Sequence, residues 1–273
     1  MSGPARQPTE AVSHPSPDAS LGRAAQWRAL TPARVGLGRT GVSLETGDLL
    51  DFQRCHAQAR DAVHARLESA ALAAALGKLT GGAVLRLHSA AADRATYLQR
   101  PDLGRVLDKP GRALLAEQAA GEMDLALVIV DGLSALAVER HAVLLLAELL
   151  PRLHGWRLAP LCVVEQGRVA IGDEIGAALG AQIAVVLIGE RPGLSSPDSL
   201  GAYVTWKPGP GRTDAERNCI SNIRPEGLSY AQAAAQLGFI LAEARRLRIT
   251  GVALKIQTPP RVDQAPRTKE IEP

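Results

Sequence analysis

With 273 residues the chain can form one large domain or a domain with an appended arm, since single hydrophobic cores stop growing near roughly 250 to 300 residues. Apolar residues make up 46% but aromatics only 3%, so the core must be built from Ala, Val, Leu and Ile, the usual material of helices packed on a parallel sheet. A net charge of +3, from 31 basic and 28 acidic residues with no clustered basic face, argues against a nucleic-acid-binding surface.

In chain order, residues 1–24 are rich in Pro, Ser, Ala and Gln and too poor in apolar surface to offset ordering entropy, which predicts a disordered arm. Pro4, Pro8, Pro15 and Pro17 leave no apolar stretch of signal-peptide length there, and no run anywhere approaches the roughly 18 residues of a membrane span. A helical region follows over 25–80, where Thr46 can cap a helix carrying Leu49, Leu50, Val63 and Leu67 on its apolar side. An α/β domain then occupies 81–251. Ala83 to His88 reads as a short strand, Leu125 to Val130 as a fully buried one, and Val138, Ala142, Leu145 and Leu149 recur at helical spacing behind it. Pro160 to Val164 and Ile183 to Ile188 give two more strands around a short helix near Asp173 to Leu179, and a last helix starts at Ser229 and ends before Gly251. Residues 252–273 form a tail broken by Pro259, Pro260 and Pro266. Apolar strands alternating with helices predict a mainly parallel, Rossmann-like sheet covered on both faces, preceded by the helical N-terminal region.

In such sheets ligands bind beyond the carboxyl ends of the strands. Three segments there are chemically unusual: Asp131-Gly132-Leu133-Ser134, Gly189-Glu190-Arg191-Pro192-Gly193, and Asn218-Cys219-Ile220-Ser221-Asn222. Each also has a plain structural reading, as a helix cap, a surface turn or an inert thiol. The motif GLGRTG, with Gly36, Gly38 and Gly41, matches the dinucleotide fingerprint but follows Pro32 rather than a buried strand. Ser134 follows a strand, yet Leu136 stands where a nucleophile elbow needs glycine, so a stand-alone α/β hydrolase using Ser134 is the weaker alternative. Gly77-Lys78 is followed by Leu79, which fails the phosphate-loop pattern. The six histidines show no metal-ligand spacing, and Cys55, Cys162 and Cys219 are too few and too scattered for a disulfide framework, which fits the reducing cytoplasm.

Six stretches, taken together and in order, resemble the small subunit of adenosylcobalamin-dependent ethanolamine ammonia-lyase. They are ARVGLGRTG at 33–41, YLQRPDLGR at 97–105, VIVDGLSA at 128–135, GRVAIGDEIGAALGA at 167–181, VVLIGERPGLSSPDSLGAYV at 185–204 and CISNI at 219–223. The resemblance implies a higher-order hetero-oligomer with a large subunit, in which adenosylcobalamin lies at the interface and the large subunit performs the chemistry. There the cobalt–carbon bond breaks homolytically, the deoxyadenosyl radical takes a hydrogen from ethanolamine, and acetaldehyde and ammonia result. It further implies corrinoid contacts at Val169, Glu190 and Cys219, none of them reacting, with Arg191 and Asp131 as supporting residues. No histidine-bearing loop of the kind that replaces the cofactor's own base is present, so the cofactor is expected to keep that base. Some members carry an amphipathic N-terminal helix that directs them into a bacterial microcompartment; this Pro-rich N-terminus shows no apolar face.

Overall fold

The computed structural model describes residues 17–31, 33–118 and 121–255. Both the arm expected over 1–24, up to residue 16, and the tail from residue 256 on lie outside the described residues. The chain divides into two compact units, Met1–Gln58 and Ala59–Pro273.

In the first unit, helix α1 (Pro17–Leu30) begins inside the stretch expected to be an arm and is followed by a two-stranded antiparallel hairpin, β1 (Arg39–Thr40) and β2 (Ser43–Leu44). The glycines of GLGRTG therefore shape a hairpin and not a strand-to-helix phosphate turn. Gly36 and Gly41 have φ of +60° and +64°, the left-handed region that glycine reaches without steric cost. Helix α2 (Thr46–His64) begins in this unit; Asp51 on it accepts from Arg34 at 2.9 Å and from Arg54 at 2.6 Å.

The second unit holds a six-stranded sheet in the order β3-β5-β4-β6-β7-β8, comprising β3 (Val84–His88), β4 (Met123–Val130), β5 (Leu161–Glu165), β6 (Ala181–Gly189), β7 (Leu200–Trp206) and β8 (Arg217–Ile223). The first four are parallel, and β7 and β8 extend the sheet antiparallel. The expected mainly parallel α/β sheet is present, with strands within two residues of their predicted bounds where they were predicted. The antiparallel pair β7 and β8 was not foreseen. Period-two alternation puts Leu125, Leu127 and Ile129 on one face of β4 and Ala126, Val128 and Val130 on the other. The first face is covered by α3 (Ser69–Thr80), α6 (Ala135–Leu149) and α8 (Tyr230–Leu247), the second by α5 (Lys109–Glu117) and α7 (Ile171–Ala178). A short helix, α4 (Arg94–Gln99), is capped by Asp93, whose carboxylate accepts from Thr96 N–H at 2.7 Å. Among the described residues no helix is long and apolar enough to cross a membrane.

The sheet order explains where a cleft can open. Adjacent strands β4 and β5 are followed by helices on opposite faces, α6 on one and α7 on the other, so the connections leaving their carboxyl ends diverge. Such a point is the usual ligand position in an open α/β sheet.

Candidate functional site

The rim beyond β4 is held by Asp131. This carboxylate is 1% exposed and accepts from the backbone N–H of Gln166 at 2.9 Å and of Gly167 at 3.1 Å, fastening the loop after β5 to the end of β4. Burial pushes its carboxyl up to about 6, against the opposing pull of those N–H groups and of Arg94, whose Nη1 lies 3.7 Å away. Arg94 in turn donates to the carbonyls of Gly132 at 2.8 Å and Val63 at 2.6 Å. At Gly132 φ is +58°, and a Cβ there would meet the carbonyl oxygen of Gly189 at 2.3 Å, so only glycine lets the loops after β4 and β6 approach this closely.

Tyr97 is fully buried beneath the same loop, and its hydroxyl donates to the Gly167 carbonyl at 3.1 Å. The guanidinium of Arg168 lies 4.3 Å from its ring centroid and that of Arg94 4.8 Å, both within cation–π range. Burial drives the Tyr97 phenol well above its ordinary value, so it remains a donor. These contacts set the backbone of 166–169, which presents Val169.

A concavity of about 430 Å³ opens where these loops meet, lined by Gly132, Leu133, Arg168, Val169, Ile188, Glu190, Arg191 and Tyr203 among others. Val169 and Glu190, expected as contacts from separate segments, thus come together. Cys219 does not line the concavity; it is exposed on β8 and pairs across the strands with Tyr203, which does. Glu190 accepts from the Ser199 hydroxyl and from Asn222 N–H at 3.3 Å, tying the loop after β6 to the end of β8. Gly201 leaves room for that carboxylate, since a Cβ there would stand 2.8 Å from Glu190 Oε1. Next to Cys219, burial chiefly and the thiol itself secondarily raise the Tyr203 phenol above its ordinary value. Arg191 lines the concavity, whereas Asp131 supports it from below. Arg168, Tyr97 and Tyr203 were not singled out from the sequence, and only their place in the motifs YLQRPDLGR, GRVAIGDEI and GAYV drew attention to those stretches.

A larger concavity of about 740 Å³ lies at the opposite end of the sheet, lined by Gln182, Trp206, Lys207, Arg212 and Arg248 among others. It sits at the amino end of β6, away from the carboxyl ends where α/β sheets bind ligands, and none of the expected contact residues reaches it.

The structure gives no support to Ser134 as a nucleophile. It is fully buried, caps α6 by accepting from Ala137 N–H at 3.3 Å, and donates its hydroxyl to the Pro197 carbonyl at 2.9 Å. His141, on the same helix, spends Nδ1 on the Tyr230 hydroxyl at 2.8 Å.

The model of the ethanolamine ammonia-lyase light-chain family matches residues 22–255. The chain belongs to the ethanolamine ammonia-lyase light-chain family. It is 60% identical over 233 residues to an ethanolamine ammonia-lyase small subunit of Ralstonia nicotianae, covering 84% of this chain and 86% of that protein. A protein of the same description from Pseudomonas aeruginosa strain LESB58 is 56% identical over 248 residues, covering 88% and 90%. One from Azotobacter vinelandii is 60% identical over 235 residues, covering 84% and 87%. The family match spans α2 and the whole sheet, so every residue of the concavity lies inside it.

Proposed function

We propose that this chain is the small subunit of an adenosylcobalamin-dependent ethanolamine ammonia-lyase and contributes one wall of a corrinoid pocket completed by the large subunit. The observation that carries the reading is the convergence of Val169 and Glu190 on one concavity at the divergent end of the sheet, in a chain of this family. A concavity of about 430 Å³ is within the range of small-molecule sites but holds only one side of a cofactor as large as a corrinoid, which leaves the rest to a second polypeptide.

The donor set fits that group. A corrin is a broad, partly apolar disc fringed by amide side chains; Val169, Leu133, Ile188 and the Tyr203 ring offer apolar area, and Glu190 offers a carboxylate acceptor for amide N–H groups. Cys219, on the uncovered face of β8 beside Tyr203, adds a soft apolar contact at the edge. When bound, adenosylcobalamin supplies the radical that begins the conversion of ethanolamine to acetaldehyde and ammonia. The residues of this chain bind and orient, and exclude water from one side of the pocket.

Two measurements test the reading. The purified chain is expected to show no ethanolamine deamination, and activity is expected when it is mixed with the large subunit and adenosylcobalamin. Robust turnover by the lone chain, or full activity of the large subunit without it, would overturn the assignment.

A further inference from the structure

The second concavity, of about 740 Å³, lies at the end of the sheet opposite the rim described above, and the proposed function makes no use of it. Because β7 runs antiparallel to β6, its carboxyl end opens on this side, placing Trp206 and Lys207 beside Gln182 of β6. Lys207, Arg212 and Arg248 line the space with the carboxylates of Glu122 and Glu216. Arg212 and Glu216 neutralise each other as an ion pair, and Glu216 also accepts from the Thr213 backbone N–H at 2.8 Å. Among the described residues Lys207, Arg248 and Glu122 form no ion pair.

Backbone strain singles out the same two cations. Four non-glycine residues among those described have positive φ: Gln166 at +56°, Asn222 at +60°, Lys207 at +47° and Arg248 at +58°. Gln166 and Asn222 hold the loops of the first concavity through Asp131 and Glu190, whereas Lys207 and Arg248 both line the second. A side chain in left-handed backbone is strained where glycine is not, and such strain gathers at binding sites. The neighbouring bonds impose it. Lys207 N–H donates to the Gln182 carbonyl at 2.7 Å, and Trp206 N–H donates to the Thr250 hydroxyl at 2.8 Å, which in turn donates to the Glu216 carbonyl at 2.6 Å. Arg248 caps α8, whose partial negative charge accounts for one cation at this edge; Lys207 has no such local cause.

The groups left over match the parts of one class of ligand. Lys207 and Arg248 suit a phosphate, and the half-buried indole of Trp206 offers an aromatic face on which a base stacks. The Glu122 carboxylate is an acceptor for the paired hydroxyls of a ribose, and the Gln182 amide offers both a donor and an acceptor to a base edge. The volume is that of a small-molecule site. We infer that this concavity binds a nucleoside monophosphate. The inference is independent of the corrinoid reading, because the two concavities share no residue.

The test is isothermal titration calorimetry of the full chain with adenosine monophosphate, inorganic phosphate and adenosine. The nucleotide is expected to bind one to one with a Kd below ~1 mM, and each of its two fragments at least about tenfold more weakly. Lys207→Gln and Arg248→Gln, both at exposed positions, should each weaken the nucleotide about threefold to tenfold, toward the affinity of adenosine. Lys207→Gly and Arg248→Gly should lose the same affinity while raising the urea midpoint, because glycine relieves the left-handed strain. Absence of binding at ~1 mM nucleotide, binding untouched by the Gln variants, or a midpoint lowered by both Gly variants would overturn the inference. Inorganic phosphate binding as tightly as the nucleotide would overturn the nucleoside part of it.

Discussion

The Asp131 carboxylate, at the end of β4, accepts the backbone N–H of Gln166 at 2.9 Å, at the end of the neighbouring β5. That bond holds Gln166 at a φ of +56°, a conformation uncommon outside glycine, and so fixes the direction in which the chain continues toward Arg168 and Val169. The rim is thus set by a buried charge and not by the apolar core beneath it.

Asp131 should leave a signature in the pH dependence of stability. Its carboxyl is pushed up to about 6 from an ordinary value of 3.8, so between those pH values the folded chain keeps a proton that the unfolded chain has lost. Its stabilising contribution is full below about pH 4 and falls as pH rises through 6, by up to about 3 kcal/mol. Burial depresses His141, which gives the opposite slope as pH rises to its ordinary value of 6.5. The difference between wild type and Asp131→Asn isolates the carboxyl. Urea unfolding across this range should show the difference shrinking or changing sign with rising pH, and a constant difference would contradict the assignment.

Beneath Val169, α7 is locked to the sheet by a buried ion pair. Arg217 on β8 donates to both oxygens of Asp173, each at 2.7 Å, and to the Thr205 hydroxyl at 2.9 Å. Asp173→Ala leaves that buried guanidinium with only the exposed Asp214 carboxylate, 3.4 Å from its Nε, and should cost about 3 kcal/mol in urea unfolding. Replacing both, Asp173→Leu with Arg217→Met, should recover most of the loss. A cost below about 1 kcal/mol for the single variant would mean that water reaches the pair.

Gly201→Ala offers a way to move Glu190 without replacing it. The new methyl meets the far end of a flexible carboxylate, so Glu190 gives way while β7 keeps its register. Corrinoid affinity of the complex should fall about threefold to tenfold, as for Glu190→Gln, and the double variant should be no worse than either alone. Additive losses in the titration would separate Gly201 from Glu190.

Thiol labelling separates Cys219 from Cys162. Cys219 is exposed, whereas Cys162 is fully buried and its thiol is pushed up to about 12. In the isolated chain iodoacetamide should modify Cys219 readily and reach Cys162 only on unfolding. In the corrinoid-loaded complex Cys219 labelling should slow on the order of tenfold. Unchanged labelling would place Cys219 outside the covered surface.

The parts of the fold legible in the sequence are those where burial on both faces writes a continuous apolar run, as in β4 and β6. Strand β8 escaped notice because it is an edge with one open face; its Asn218, Ser221 and Asn222 read as a loop. Helix α4 escaped because at six residues it is too short to show a period, and its Arg94 and Tyr97 are buried by contacts with distant loops. The same holds for the site. Val169, Glu190 and Cys219 came from the family's motifs, whereas the place of Arg168 against Tyr97 and Gly104, about 65 to 70 residues away, is a juxtaposition only the fold creates.

The central claim is that this chain holds half of a corrinoid pocket. Equilibrium titration of adenosylcobalamin, read from its visible spectrum, against this chain alone, the large subunit alone and their equimolar mixture tests it most directly. On this claim neither component alone encloses the cofactor, and the mixture should bind it at least about a hundredfold more tightly than either. Tight binding by the large subunit that does not change when this chain is added would contradict it.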